Sequence, residues 1–187
     1  DLLRHYCSEC DLVGISLLTT HHLQRAKQIS HFLRDRISAK IIWGGVPVIC
    51  DPNYYLQYVD LVCLGEGEKV MQDLLSGKKF ADIDGLGYKT GDGRCKLNPR
   101  RRLTDVNQLP LPHMAINDSY LLETGRMVPL REALGRLVRY SVLSVRGCPY
   151  SCSYCLNSRL KHIFSSKGAY IRYVDTDRVI SELEWAE

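Results

Sequence analysis

No apolar run in this 187-residue chain approaches the roughly 20 residues that a membrane-crossing helix needs. Its start, DLLRHYCSECD, has neither an initiator methionine nor the basic and apolar segments of a signal peptide, so a cytoplasmic piece of a longer chain is expected. Eight cysteines are too few for a small disulfide scaffold. Cys7, Cys10, Cys50, Cys63 and Cys95 lie scattered among apolar neighbours, which fits a reducing compartment. Stacking rings are sparse where a single-strand nucleic-acid binder needs them. Arg100, Arg101, Arg102, Arg126, Arg131, Arg136, Arg139 and Arg146 gather in the middle of a chain of net charge +4, yet only Tyr120 and Tyr140 fall among them. A solvated basic linker is expected there, and nucleic acid is not expected as a partner. With 45% hydrophobic and 25% charged residues, disorder is excluded and the chain is long enough for one generous core or two small ones.

What is present alternates strand and helix. Asp11 to Leu18 is a short, nearly continuous apolar run, as in a parallel strand covered on both faces. Leu23, Ala26, Ile29, Leu33 and Ile37 recur at helical spacing and predict an amphipathic helix over 23–37. Lys40 to Trp43 is a second strand entering Gly44 and Gly45, a short helix is expected at 53–58, and Asp60 to Leu64 is a third strand ending in GEGE. A helix over 68–75 stops at Gly77. Three such units imply a doubly wound parallel sheet. Because a flavodoxin-like sheet has five strands, its first strands are expected upstream of Asp1. Gly85 to Asn98 reads as a β-hairpin around Gly-Asp-Gly, and 99–140, with Pro110, Pro112 and Pro129, as a linker. Ser141 to Val145 opens a second α/β region. A polar loop over 158–168 follows, then a helix capped near Asp175, with Asp177 in its first turn and Val179, Ile180 and Leu183 on its buried face. The division expected is 1–80, 81–140 and 141–187.

The strand at 141–145 runs into RGCPYSCSYCLN, where Cys148, Cys152 and Cys155 have the spacing C-x3-C-x2-C. A structural zinc site needs a fourth ligand, and His162 is poorly placed to be one. A disulfide would leave one thiol over. An iron-sulfur cluster needs soft thiolates converging from a tight loop, which this segment supplies. Three thiolates hold three irons of a 4Fe-4S cube, and the fourth iron is left for a small molecule.

These residues resemble the motif of the radical S-adenosylmethionine enzymes, C-x3-C-x-aromatic-C after an apolar strand. The resemblance implies that Cys148, Cys152 and Cys155 hold the 4Fe-4S cluster and that S-adenosylmethionine chelates the open iron. The reduced cluster then cleaves S-adenosylmethionine to a 5′-deoxyadenosyl radical. Tyr154 matches the aromatic position beside adenine, with a plain packing role as the alternative. By the same resemblance, 141–187 is the start of a partial barrel of βα units with the cluster loop at a strand's carboxyl end.

The strand ends ISLLTT, WGGVP and CLGEGE carry small or polar residues at the carboxyl edge of the sheet, where glycines let a flat ligand or phosphate approach the backbone. Tight strand-to-loop turns are the alternative reading. GISLLTT, IIWGGVPV and VDLVCLGEGE are similar to the last three strands of the cobalamin-binding domain that precedes the radical domain in one large subclass of these enzymes. On that likeness Ser16, Leu18, Thr19, Gly44, Gly45, Val46, Glu66 and Gly67 would line the cleft for the cobalamin nucleotide tail and ring. His21 and His22 follow the wrong strand for a cobalt ligand and read as helix-start or surface residues. Cys7 and Cys10 form a lone C-x2-C and read as packing thiols on a preceding helix. Glu66 and Glu68 read as caps of the following helix.

Together the two halves imply a cobalamin-dependent radical S-adenosylmethionine enzyme, a methyltransferase first and a cyclase second, with cobalamin as methyl carrier. The resemblance also implies a small-molecule, natural-product or lipid substrate and an electron donor such as flavodoxin or ferredoxin. No residue is assigned a catalytic proton or group transfer. Two alternatives stand beside this reading. One is a methylthiotransferase acting on tRNA or a ribosomal protein, against which the GGVPV and GEGE strand ends argue. The other is a zinc-binding nucleic-acid module supported by the arginines.

Overall fold

The computed structural model describes residues 2–112, 119–123, 125–134 and 140–186. In chain order the elements are α1 (Leu2–Cys7), β1 (Leu12–Ser16), α2 (Leu23–Arg34), β2 (Lys40–Gly44), α3 (Val46–Cys50), α4 (Pro52–Leu56), β3 (Leu61–Cys63), α5 (Gly67–Leu75), β4 (Leu86–Lys89) and β5 (Cys95–Leu97). They continue with β6 (Tyr120–Glu123), β7 (Arg126–Pro129), α6 (Leu130–Leu134), β8 (Val145–Arg146), α7 (Leu156–Ile163), β9 (Arg172–Tyr173) and α8 (Thr176–Ala186). Two compact units result: one joins the segment ending at Leu103 with Cys148–Tyr170, the other joins Thr104–Gly147 with the segment from Ile171 onward.

The first unit is built on a five-stranded sheet in the order β1-β2-β3-β4-β5. β1, β2 and β3 run parallel, with Leu12 opposite Lys40 and Ile42 opposite Leu61. The alternation of side chains along a strand divides the core between two faces. Ile41, Trp43, Val62 and Leu64 pack on one side with Ala26 and Leu33 of α2, Val48 of α3 and Leu56 of α4. Ile42, Leu61 and Cys63 pack on the other with Val70 of α5, Leu86 and Tyr88. Burial on both faces is why the strands read as continuous apolar runs. Trp43 is fully buried, and its indole N–H donates to the Ser30 hydroxyl at 2.9 Å.

The three parallel strands expected in the first unit are present, with ends that differ by a residue or two. The helix expected over 23–37 ends at Arg34 and is preceded by a 3-10 turn at Thr20–His22. The short helix expected at 53–58 is replaced by two, α3 and α4, because Pro47 and Pro52 each start a helix at a position where a backbone N–H is not needed. The hairpin at 85–98 forms, and it belongs to the sheet: β4 pairs antiparallel with β3 and β5 with β4. Asn98 anchors it by donating to the Phe80 and Ile83 carbonyls at 2.6 and 2.8 Å.

The segment taken as a polar loop over 158–168 is in large part α7. Its phase puts Phe164 into the first unit, almost fully buried, while the polar residues around it mask the helical period.

In the second unit the segment read as a linker holds a hairpin, β6 with β7, followed by α6. Arg136 and Arg139 of the basic stretch lie outside the described residues. The strand expected at 141–145 shrinks to Val145–Arg146, paired antiparallel with β9, and among the described residues no parallel neighbour extends it. Asn107 fastens this pair: its side chain donates to the Tyr173 carbonyl at 3.3 Å and accepts from the Asp175 N–H at 2.9 Å. α8 forms where expected, but Ile180 and Leu183 are 47% and 43% exposed rather than buried, since no element described in this unit covers them.

Candidate functional site

A cleft of about 370 Å³ opens at the carboxyl edge of the parallel strands. Gly14 and Ser16 of β1, Gly44 and Gly45 after β2, and Gly65 and Gly67 after β3 form its rim, and Ile15, Ile42, Cys63 and Met71 its walls. The backbone does most of this shaping. Gly45 sits at φ +100°, where a Cβ would collide with the Leu17 carbonyl oxygen, and Leu17 is in turn bonded from its N–H to the Gly44 carbonyl at 2.8 Å. Only glycine adopts that conformation readily. At Gly67 a Cβ would meet nothing within 4 Å, so that position is open for a different reason: space is kept free beside the first turn of α5. A flat group therefore has room to approach the strand ends.

Of the eight residues expected to line a cobalamin cleft, Ser16, Gly44, Gly45 and Gly67 meet here. Leu18, Thr19, Val46 and Glu66 do not line the cleft itself. Leu18 is 73% exposed on the loop beyond β1, and Thr19 bonds through its hydroxyl to His22 Nδ1 at 3.2 Å. Val46 begins α3 and Glu66 occupies the N-cap position of α5 without a side-chain cap bond, while Glu68 lies in that helix's first turn. His21 and His22 are exposed on the 3-10 turn. Cys7 packs partly against the core, whereas Cys10 is exposed, its thiol bonded to the Tyr6 carbonyl, so only one of that pair is a packing thiol.

The sequence missed Gly14, Ile15, Ile42, Cys63, Gly65 and Met71. Cys63 is one residue from the quoted GEGE edge, and the strand's alternation was the signal that it faces the cleft side. Burial pushes its thiol pKa up, the Glu68 charge adds to this, and its sulfur bonds to the Gly65 carbonyl at 3.4 Å. Its proton is therefore held more firmly than that of an unperturbed cysteine.

Cys148, Cys152 and Cys155 are free thiols on one loop, Cys152 exposed and the other two half-buried. The loop is entered through Gly147 at φ +99° and turns at Cys152–Cys155, whose N–H bonds to the Cys152 carbonyl at 3.1 Å. Among the described residues no three Cys, His, Asp or Glu side chains come close enough to hold a metal ion, so the loop carries the donors without drawing their sulfurs to one point. As a donor set, three soft thiolates fit iron-sulfur ligation. Tyr154 is 91% exposed, so packing does not account for it here.

α7 ties this loop to the sheet edge. Ser158 donates to the Cys152 carbonyl at 2.8 Å and Lys161 to the Pro149 carbonyl at 3.3 Å. Phe164 packs where a side chain on Gly65 would stand, 3.3 Å from that Cβ position. Arg100 completes the joint. Its guanidinium donates to the Leu64 carbonyl and, at 2.7 Å, to the Ile49 carbonyl, and lies 5.8 Å from the Phe164 ring centre. Desolvation lowers its pKa from the usual value.

Residues 2–75 match the B12 binding domain. The chain is 24% identical, over 95% of its length, to the cobalamin-dependent radical SAM methyltransferase TokK of Streptomyces tokunonensis. It is 25% identical, over 88%, to the 2-(S-pantetheinyl)-carbapenam-3-carboxylate methyltransferase of Streptantibioticus cattleyicolor. It spans about a quarter of the length of each, 25% and 24%. The solved structure of the radical S-adenosylmethionine methyltransferase TsrM from Kitasatospora setae, with cobalamin and a 4Fe-4S cluster bound, superposes with a TM-score of 0.71 at 22% identity, over 98% of this chain and 37% of that one. The fold is thus shared with TsrM, and the alignments that omit so little of the chain run on through the cysteine loop. The match to the B12 binding domain thus takes in the parallel strands and their cleft, and the chain as a whole is similar to cobalamin-dependent radical S-adenosylmethionine methyltransferases.

Proposed function

We propose that this chain forms the cobalamin cleft and the cluster loop of a radical S-adenosylmethionine methyltransferase. One observation carries the reading: a glycine-rimmed cleft and a three-thiol loop lie in the same compact unit, joined through α7 and Phe164 on the same sheet edge. When bound, the cluster with S-adenosylmethionine supplies a 5′-deoxyadenosyl radical by one-electron cleavage, and cobalamin supplies the methyl carrier. Cys148, Cys152 and Cys155 hold the cluster in this reading, and Tyr154 flanks the adenine. Gly44, Gly45, Gly65 and Gly67 would admit the corrinoid, leaving its approach to the strand ends free of side chains. The apolar walls would exclude water from the bound group, and Cys63 stands among them as a buried thiol bonded to the Gly65 carbonyl. The reductant is a flavodoxin- or ferredoxin-type donor, and the substrate is a small molecule, as the name of the carbapenam relative states for that protein.

The test is anaerobic reconstitution of the full-length protein with iron, sulfide and hydroxocobalamin. The expected result is cluster absorbance, bound corrinoid and 5′-deoxyadenosine formation after reduction, all but the corrinoid being abolished in Cys148→Ala. One tightly bound zinc with no iron or sulfide would overturn the reading in favour of a zinc module.

A further inference from the structure

We propose that Asn157 and Tyr170 form a tuning pair for Cys155, the Asn157 amide donating to the cysteine sulfur and the Tyr170 hydroxyl holding that amide in place. This rests on the reading that Cys155 is a cluster ligand. Asn157 stands in the first turn of α7 with Nδ2 3.8 Å from Cys155 Sγ. Its Oδ1 accepts from the Tyr170 hydroxyl at 2.9 Å. An iron-bound thiolate has no proton and only accepts, so the amide nitrogen must face it and the amide oxygen must turn away. Tyr170 meets the oxygen, which makes one orientation of the amide consistent with both neighbours. Because Asn157 is only two residues past Cys155, the amide stays within reach of the sulfur as the loop closes on iron, and a charged acceptor strengthens the contact.

The consequence is electrostatic. One electron from an external reductant adds one negative charge to the cluster and its thiolates. A donor aimed at a ligating sulfur stabilises the reduced form more than the oxidised one and raises the potential. Ser158 and Lys161 contact the loop only through the Cys152 and Pro149 carbonyls, so they shape the backbone and leave the sulfur charge to Asn157.

The experiment compares full-length wild type, Asn157→Leu and Tyr170→Phe after anaerobic reconstitution with iron and sulfide. Bound iron and sulfide are measured first. A dithionite titration with redox mediators, followed by electron paramagnetic resonance of the reduced cluster, then gives the potential. All three proteins are expected to load equally. At fixed potential the reduced-to-oxidised ratio of Asn157→Leu falls about tenfold, a shift of about 59 mV downward for a one-electron couple, and that of Tyr170→Phe falls about threefold. If both loaded variants titrate with wild type, or shift upward, the tuning pair is wrong while the cluster reading stands. If wild type binds neither iron nor sulfide, the cluster reading falls and takes the pair with it. Should Asn157→Leu fail to load, Tyr170→Phe decides, since it keeps the amide and removes only what holds it.

Discussion

The cleft and the cysteine loop are built by opposite means. The cleft is made of absences, with glycines where side chains would intrude and main chain brought up to the rim. The loop is made of three side chains whose chemistry no other residue supplies, on a backbone that is largely exposed. In the first region folding and binding depend on the same atoms, and in the second they are separable.

Substitutions should expose that difference. The largest effect is expected at Cys152: Cys152→Ser should remove essentially all cluster iron, read by iron and sulfide analysis, while the urea midpoint stays within about 0.5 kcal/mol of wild type because the residue is exposed. Gly45→Ala should do the reverse. Forcing a Cβ against the Leu17 carbonyl at φ +100° should cost about 2–4 kcal/mol in urea unfolding, and corrinoid binding should fall with it.

Gly67→Ala sharpens the comparison. With nothing within 4 Å of the new Cβ, stability should hold or rise by about 0.5 kcal/mol, yet corrinoid retained after gel filtration should drop. A fall in stability there would contradict the reading of Gly67 as a position kept open for a ligand. Tyr154→Ala should weaken S-adenosylmethionine binding by about tenfold in equilibrium titration, as loss of one stacking ring would, with no change in melting.

The smallest effect is expected at Asp73. Partial loss of hydration pushes its carboxyl upward, but bonding and charge from Arg101, with Lys78 at 3.7 Å, outweigh this and hold it below the usual carboxylate range. A depressed folded value means that the stabilisation is complete above the unfolded value near about 4 and fades as pH falls through the lower folded one. Asp73→Asn should therefore cost roughly 0.5–1 kcal/mol at pH 7, and its denaturation curve should converge with wild type in strong acid.

The parallel strands were legible in the sequence because burial on both faces writes them as unbroken apolar runs, and the cysteine spacing was legible because ligand sets are local. The cleft was half legible. Gly44, Gly45 and Gly67 advertise themselves in the strand ends and Cys63 was readable from the alternation of β3, whereas Met71 reaches the cleft from a helix whose facing only the packed sheet decides. α7 was hidden because none of its own residues is deeply buried, and the buried Phe164 at its C-cap is followed by serines and a lysine that read as loop. Arg100 was hidden for a different reason. Its partners Leu64 and Ile49 are remote in sequence and offer only carbonyl oxygens, which carry no residue identity.

That choice of partners has a consequence for how the enzyme would behave across conditions. Main-chain carbonyls do not titrate, and a guanidinium stays charged at any pH a cell meets. The Arg101–Asp73 pair beside it loosens in acid, but the brace between the end of β3, α3 and the helix behind the thiol loop has no proton to lose or gain. Its planar fork reaches two acceptors at once, which a lysine ammonium does not reproduce. The spacing between the cleft and the thiol loop is thus set by a joint indifferent to acidity, leaving their separation constant while charges elsewhere in the molecule come and go.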